Sequence, residues 1–312
     1  MSSLAKQLEQ LALPGQPSLK QAASKKRASL LFQPETAADT STDTLHALAL
    51  NGLAELAQVE PSFWAWETAL LERHKAFSRD VASREEVARV GELVERFLRR
   101  LCPHLLGQAA HKCLEWLIGV LEVHCQHTDA VMECVLPYYS TKLFAGVVQL
   151  LPLSPEQACK WRWLLPLKRR GCPLSKQTLV QHCLWDLSLL HFVCQMVGAS
   201  VRAGKGCGQS GGCCQAVSLY TSTVMAVLES ASPQQREAVV GLVVPYVERG
   251  FKWREQNYRA SSYIIVSGLA VLATMEAPLL ESLLYRVSKV RAVVFCGFKS
   301  CVACCRVCVR CC

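Results

Sequence analysis

The stretch Gln108 to Leu121 narrows the fold more than any other part of this chain. Cys113, Leu114, Leu117, Ile118 and Leu121 recur there at three- and four-residue steps, the period of a helix with an apolar side. Gln126, His127, Thr128 and Asp129 make a polar break, and Thr128 or Asp129 is placed to cap the next helix. A second apolar segment runs on to Leu153, interrupted at Val135-Leu136-Pro137-Tyr138-Tyr139. Two apolar helices joined by a short turn read as an αα-hairpin. Such a hairpin cannot cover its own apolar faces, so it needs similar pairs stacked on either side.

The rest of the chain supplies them. Residues 1–13 form a short amphipathic helix with Leu4, Leu8 and Leu11 on one face, ended by Pro14, Gly15 and Pro17. A polar linker covers residues 14–29, and Ala28 to Phe32 is a short apolar anchor. Thr42 to Val59 is a helix with a Leu45, Leu48, Ala49, Leu53 and Leu56 stripe, capped by Thr42 or Asp43. Pro61 starts the next helix, which carries Phe63, Trp66, Leu70 and Leu71 inward. Trp64 and Trp66 read as core packing rather than as a platform for bases. Val81 to Leu101 is amphipathic, and its many charges read as a solvated face with pairs three or four residues apart.

After Leu153, Pro155 begins a short helix and Trp161 to Leu165 another. Pro166 to Pro173 reads as a basic loop between prolines. Ser175 caps a helix through Leu184, and Leu187 to Val201 continues as the next. Residues 202–214 are a glycine-rich loop that matches neither a P-loop nor a dinucleotide fingerprint, because no apolar strand precedes it. Ala216 to Ser230, Ser232 to Val247, Tyr258 to Thr274 and Pro278 to Val287 complete the helices. Val135-Leu136-Pro137-Tyr138 is echoed by Val243-Val244-Pro245-Tyr246, with proline near a helix end each time. The separation fits two or three repeats of the HEAT and armadillo length. The predicted fold is all-α, a HEAT/armadillo-like α-solenoid of stacked antiparallel helix pairs over residues 1–288.

Eighteen cysteines raise the question of disulfides. Cys102, Cys113, Cys125, Cys134, Cys159, Cys183 and Cys194 stand singly, most among apolar helical residues, where a free thiol acts as a small hydrophobe. With an amphipathic N-terminus in place of an apolar leader, a reducing compartment is expected. No run reaches the roughly 18 apolar residues that span a bilayer, and Tyr263 to Met275 reads as a buried helix. Residues 289–312 hold Cys296, Cys301, Cys304, Cys305, Cys308, Cys311 and Cys312. The overlapping C-x-x-C pairs lack the loop that wraps a zinc ion, so this tail is expected to be disordered or irregular rather than metal-binding.

No catalytic motif is present: there is no G-x-S-x-G, H-E-x-x-H or Walker A, and no carboxylate pair in a polar loop. His124 and His127 read as part of an exposed turn, while His111 and His182 read as ordinary helix residues. No cofactor, membrane or small-molecule substrate is expected. The net charge of +9 is mildly basic and compatible with nucleic-acid surroundings. Two basic clusters are candidate phosphate or nuclear-import contacts: Lys25, Lys26 and Arg27 in the linker, and Lys168, Arg169 and Arg170 between the prolines.

Several segments, in order, resemble one family. They are Ser3-Leu4-Ala5-Lys6-Gln7-Leu8 with Leu11-Ala12-Leu13-Pro14, Ala28-Ser29-Leu30-Leu31-Phe32, and Glu60-Pro61-Ser62-Phe63. The most specific are Lys112-Cys113-Leu114-Glu115-Trp116-Leu117-Ile118 and Cys134-Val135-Leu136-Pro137-Tyr138. Trp163-Leu164-Leu165-Pro166, Gly171, Pro173-Leu174, His182-Cys183, Tyr258-Arg259-Ala260 and Tyr263-Ile264-Ile265 continue the series. Together they are similar to the HEAT repeat-containing protein one family, which includes the U three small nucleolar RNA-associated protein ten group. The resemblance implies a non-catalytic scaffold of the small-subunit processome in the nucleolus. It also implies a place in the subcomplex on the early 5′ leader of pre-ribosomal RNA, with pre-rRNA and U3 snoRNA as direct or indirect partners. The family's work is pre-rRNA processing, maturation of the 18S RNA and support of polymerase I transcription. Family members are far longer, so the chain resembles their N-terminal portion followed by an unrelated cysteine tail. A generic solenoid adaptor in cytosolic transport or trafficking is the alternative reading.

Overall fold

The computed structural model describes residues 27–75, 77–153, 160–203, 214–272 and 277–288. The predicted helix at 1–13, Lys25 and Lys26, the helix start at Pro155, the glycine-rich residues 204–213 and the cysteine tail 289–312 lie outside them. The described chain is helical throughout, with no strand. In order the helices are α1 (Pro34–Asp39), α2 (Thr42–Val59), α3 (Arg84–Leu101), α4 (Gln108–Leu121), α5 (Val123–Gln126), α6 (Thr128–Val135) and α7 (Lys142–Leu150). They continue as α8 (Leu165–Arg170), α9 (Lys176–Trp185), α10 (Leu187–Ala203), α11 (Cys214–Ser230), α12 (Pro233–Lys252), α13 (Gln256–Leu272) and α14 (Ala277–Ser288). Tight 3-10 turns at Pro61–Trp64, Cys102–His104, Leu136–Tyr138 and Arg162–Leu164 link several of them.

These helices begin where the sequence can satisfy their first amides. The hydroxyls of Ser41, Ser83, Ser175 and Ser232 each accept a hydrogen bond from the backbone N–H three residues on. At Ser232 the Gln235 side chain answers back to the cap amide, completing a capping box. Ser41 thus takes the capping role expected of Thr42 or Asp43. His127, not Thr128 or Asp129, occupies the cap position of α6, without a side-chain cap bond. Pro137 ends its helix through the Leu136–Tyr138 turn. Pro245, its counterpart in the echo, instead lies inside α12, which runs on to Lys252. The carbonyl that loses its partner there belongs to Gly241, and both Gly241 and Pro245 are exposed, so water replaces the missing bond.

The described residues fall into two compact units, one of them up to Ala82 together with Gln108–Val123, the other Ser83–Gly107 together with the residues from His124 onward. In the first unit α4 packs along α2. Residues 113 to 118 of α4 are all buried, so this helix is enclosed rather than amphipathic. Gly52 of α2 admits the close approach: a β-carbon there would lie 2.5 Å from the Ala109 carbonyl oxygen. Lys112 Nζ spans back to Glu55 at 2.7 Å. Glu115 is 1% exposed, and its Oε2 accepts from the amides of Leu30 and Leu31 at 2.7 and 3.0 Å. That buried carboxylate holds the Ala28–Phe32 anchor in place. In the segment after Pro61, Phe63, Leu70 and Leu71 are buried, whereas Trp66 is half-buried and Trp64 is 52% exposed. Trp64 is therefore not core.

The stretch 108–153 expected to form one hairpin is divided between the two units. The partner of α4 is α2, and the partner of α6 is α3 in the second unit. Cys134 Sγ lies 3.1 Å from the Leu98 carbonyl, and Cys102 Sγ lies 3.3 Å from the Cys134 carbonyl. The Tyr138 hydroxyl donates to the Cys102 carbonyl at 2.7 Å. Burial raises the thiol pKa of Cys134 and the phenol pKa of Tyr138. These groups join two backbones that a Val or Leu would hold less closely.

From α9 onward near neighbours dominate the packing, while α10 also reaches back to α3 and α11 to the Leu136–Tyr138 turn. Each of α9, α10, α11 and α12 packs on the next helix and on the next but one. This ladder of near neighbours is the contact pattern of a helical repeat stack, and it makes the fold class an α-solenoid of the HEAT kind. Close approach recurs between α12 and α13, where a β-carbon at Gly250 would overlap the Ser262 hydroxyl and the Tyr258 hydroxyl donates to the Tyr246 carbonyl at 2.8 Å. Among the described residues no single helix is long and apolar enough to cross a membrane.

Candidate nucleic-acid interface

The two predicted basic clusters have different surroundings. Of the first, Arg27 alone is described; its guanidinium donates to the Thr40 carbonyl. Arg27 therefore fastens the Ala28–Phe32 anchor to the end of α1.

Lys168, Arg169 and Arg170 belong to the second unit and form the last turn of α8, not a loop. Pro166 explains the difference: it stands in the first turn, where a missing N–H costs nothing. Gly171 ends the helix with φ 62°, and its N–H bonds the Leu167 carbonyl at 2.8 Å. A side chain there would meet only the tip of the exposed Gln149 side chain, which can turn away, so the positive φ is what calls for glycine. Three cations over the carbonyl end of a helix are also favourable to the helix itself. The Lys168 ammonium bends back to donate to the Leu151 carbonyl, and burial draws its pKa below the ordinary lysine value. Arg169 and Arg170 are exposed.

The surface around them extends further than the triplet. From Gln157 to Trp185 the sequence contains no Asp or Glu, yet it holds Lys160, Arg162, Lys168, Arg169, Arg170 and Lys176. Arg162 and Lys176 are exposed. None of Arg162, Arg169, Arg170 and Lys176 makes an ion pair among the described residues. Lys160 is committed: it lies 3.6 Å from an Asp129 carboxylate oxygen and 3.9 Å from the Phe192 ring centre. Asp129 also accepts from the buried Trp161 indole at 2.6 Å. In the same run Trp163 lies against His182 with ring centres 4.5 Å apart and 34° between planes, and His182 meets Trp185 edge-on at 5.2 Å. Desolvation lowers the His182 pKa, against the raising effect of Asp186. The predicted cluster omits Arg162, Lys176 and Trp185; the acid-free run is the sequence signal that marks them.

Elsewhere, His124 is buried rather than part of an exposed turn. His127 Nδ1 stands 3.6 Å from Glu95 and its ring covers Gly91. Among the described residues no three His, Cys, Asp or Glu side chains are grouped to hold a metal ion. Cys102, Cys113, Cys134, Cys183 and Cys194 are free and buried, and Cys125 is exposed. Burial pushes the thiols of Cys113 and Cys183 up to about 12.

No family model matches the chain, but individual relatives do. HEAT repeat-containing protein 1 of Homo sapiens is 36% identical over 291 residues, which is 93% of this chain. Its Drosophila melanogaster homolog is 31% identical over 92% of the chain. The U3 small nucleolar RNA-associated protein 10 of Aspergillus niger is 27% identical over 92%. The chain spans 13%, 14% and 16% of the lengths of these three relatives, so each match is to one segment of a much longer protein. On this similarity, which runs through α2, α4 and the helical ladder alike, the chain belongs to the HEAT repeat-containing protein 1 family.

Proposed function

We propose that this chain is a non-catalytic scaffold segment in ribosome biogenesis. Its place is the nucleolus, within the small-subunit processome, among the proteins of the early 5′-leader subcomplex and close to pre-rRNA and U3 snoRNA. Its contribution is to pre-rRNA processing, 18S rRNA maturation and support of polymerase I transcription. The carrying observation is the similarity over most of the chain to relatives named U3 small nucleolar RNA-associated protein 10. The architecture is in keeping with it, because helical repeat stacks work by presenting an extended surface to partners.

Direct RNA contact is assigned to Lys25, Lys26, Arg27, Lys168, Arg169 and Arg170. Arg27 and Lys168 each also hold a backbone carbonyl, so the exposed Arg169 and Arg170 carry more of the contact. The test is affinity capture of the tagged full chain from growing cells, with an unrelated helical repeat protein as control. Enrichment of U3 snoRNA, 5′-leader pre-rRNA and processome proteins is the expected result. A diffuse cytosolic signal without those RNAs would overturn the proposal and favour a transport or trafficking adaptor.

A further inference from the structure

We propose that the face made by the Arg162–Leu164 turn, α8 and the C-terminal end of α9 binds single-stranded RNA. Trp185 is its stacking surface for a base, and Arg162, Arg169 and Arg170 contact the neighbouring phosphates. The choice of RNA rests on the ribosome-biogenesis reading above; the choice of a single strand rests on the geometry.

Trp185 is 73% exposed, while Trp161, in the same acid-free run and the same unit, is 1% exposed. Leaving an indole in water forgoes one of the largest burial gains a side chain offers. This indole is nevertheless supported, since its neighbour His182 is in turn packed on Trp163. Three rings in contact, the outer one open to solvent, hold a flat apolar surface at a set place. A base in a single strand presents its own π-face to such a surface, whereas in a duplex that face is hidden in the stack.

The cations of the same run of chain have the matching sign. The run Gln157–Trp185 contains no Asp or Glu; Asp186, exposed next to Trp185, accepts from the Ser188 amide at 2.9 Å and acts on His182. Lys160 and Lys168 are taken up by Asp129 and the Leu151 carbonyl, and the exposed Arg162, Arg169 and Arg170 are not. All three are arginine, whose planar fork suits phosphate oxygens. Arg162 and Arg169 are seven residues apart on a continuous 3-10 and α-helical run, roughly 11 Å along its axis. Two of the cations are therefore spaced along one helical run, as contact with successive phosphates of a backbone requires.

The test uses the full chain and fluorescein-labelled oligouridylate, read by anisotropy across a salt series, with circular dichroism as a check that each variant is folded. Trp185→Ala is expected to weaken binding roughly ten-fold or more, the scale of one lost base–aromatic stack, and Trp185→Phe to recover most of it. The paired change Arg169→Ala with Arg170→Ala is expected to weaken binding and to lower the salt slope by about 1.4, near 0.7 for each single-strand phosphate released. A duplex RNA of equal length is expected to bind less tightly than the single strand. Unchanged affinity in Trp185→Ala, equal binding of the duplex, or no binding of oligouridylate at all would each overturn the proposal. None of those results touches the cellular capture of U3 snoRNA and processome proteins, which tests the function separately.

Discussion

Replacing Gly52 by alanine puts a methyl carbon into the crossing of α2 and α4. That carbon would lie 2.5 Å from the Ala109 carbonyl oxygen, 2.8 Å from Lys112 Cβ and 3.3 Å from Cys113 Sγ. The first contact is to backbone and the second to a β-carbon, so no change of rotamer relieves them; the helices must separate. Overpacking of this kind costs about 1–3 kcal/mol, and two contacts with fixed atoms place Gly52→Ala toward the upper end. Alanine returns about 1 kcal/mol of helix propensity. The expected net loss is about 1–2 kcal/mol, and for a cooperative unit of roughly 100 residues each kcal/mol lowers the melting midpoint by about 4–8 °C. Urea unfolding followed by far-ultraviolet circular dichroism measures it. Gly241→Ala is the internal comparison, because Gly241 is exposed on α12 with nothing within 4 Å of a built β-carbon. There the propensity gain of up to about 1 kcal/mol stands alone. The two variants should move in opposite directions. A Gly52→Ala protein as stable as the parent would refute the close-approach argument.

Glu115→Ala removes the acceptor for the Leu30 and Leu31 amides and is expected to cost about 2–4 kcal/mol, two charge-assisted bonds partly offset by water; limited proteolysis should show faster cleavage near residues 27–33, and an unchanged digest would count against it. Glu122 has a φ of 49°, a conformation that strains an L-residue by about 1–2 kcal/mol, so Glu122→Gly is expected to raise the melting midpoint slightly, and a lower midpoint would contradict this. The thiols of Cys113 and Cys183 rise from an ordinary 9.0 to about 12 on burial. The folded state keeps their protons while the unfolded state loses them, so their contribution is complete below pH 9 and is lost as the pH climbs toward 12; alkaline titration of stability should fall across that window. In the native protein at pH 8 an aromatic disulfide reagent should modify the exposed Cys125 quickly and these two slowly; equal rates would show that the buried pair is accessible.

What could be read without the fold was local. Thr42 to Val59 is helical to the residue, Ser175 and Ser232 cap as expected, and Pro137 stops its helix. Period, capping hydroxyl and missing amide act over one or two turns, so a few neighbouring residues contain the whole cause. The basic cluster was visible for the same reason: a charge run is read directly from sequence, and Arg169 and Arg170 are exposed as charged side chains usually are. Its support was not. Nothing near Lys168 in sequence announces the Leu151 carbonyl, and nothing near Trp185 announces Trp163 two elements earlier.

Partner choice was likewise a matter for the folded chain. Sequence adjacency pointed α4 toward the segment after it, yet α4 lies along α2. The deciding groups are Gly52, which lets two backbones close in, and Glu115, whose carboxylate finds two amides about 85 residues away in sequence. The same separation made His124 look exposed. By itself the sequence determined that this chain is a run of capped, apolar-striped helices, because helix formation is decided within a turn. Which faces meet, and which cations and rings remain on the surface, was decided by the tertiary structure, because burial depends on atoms that only folding brings together.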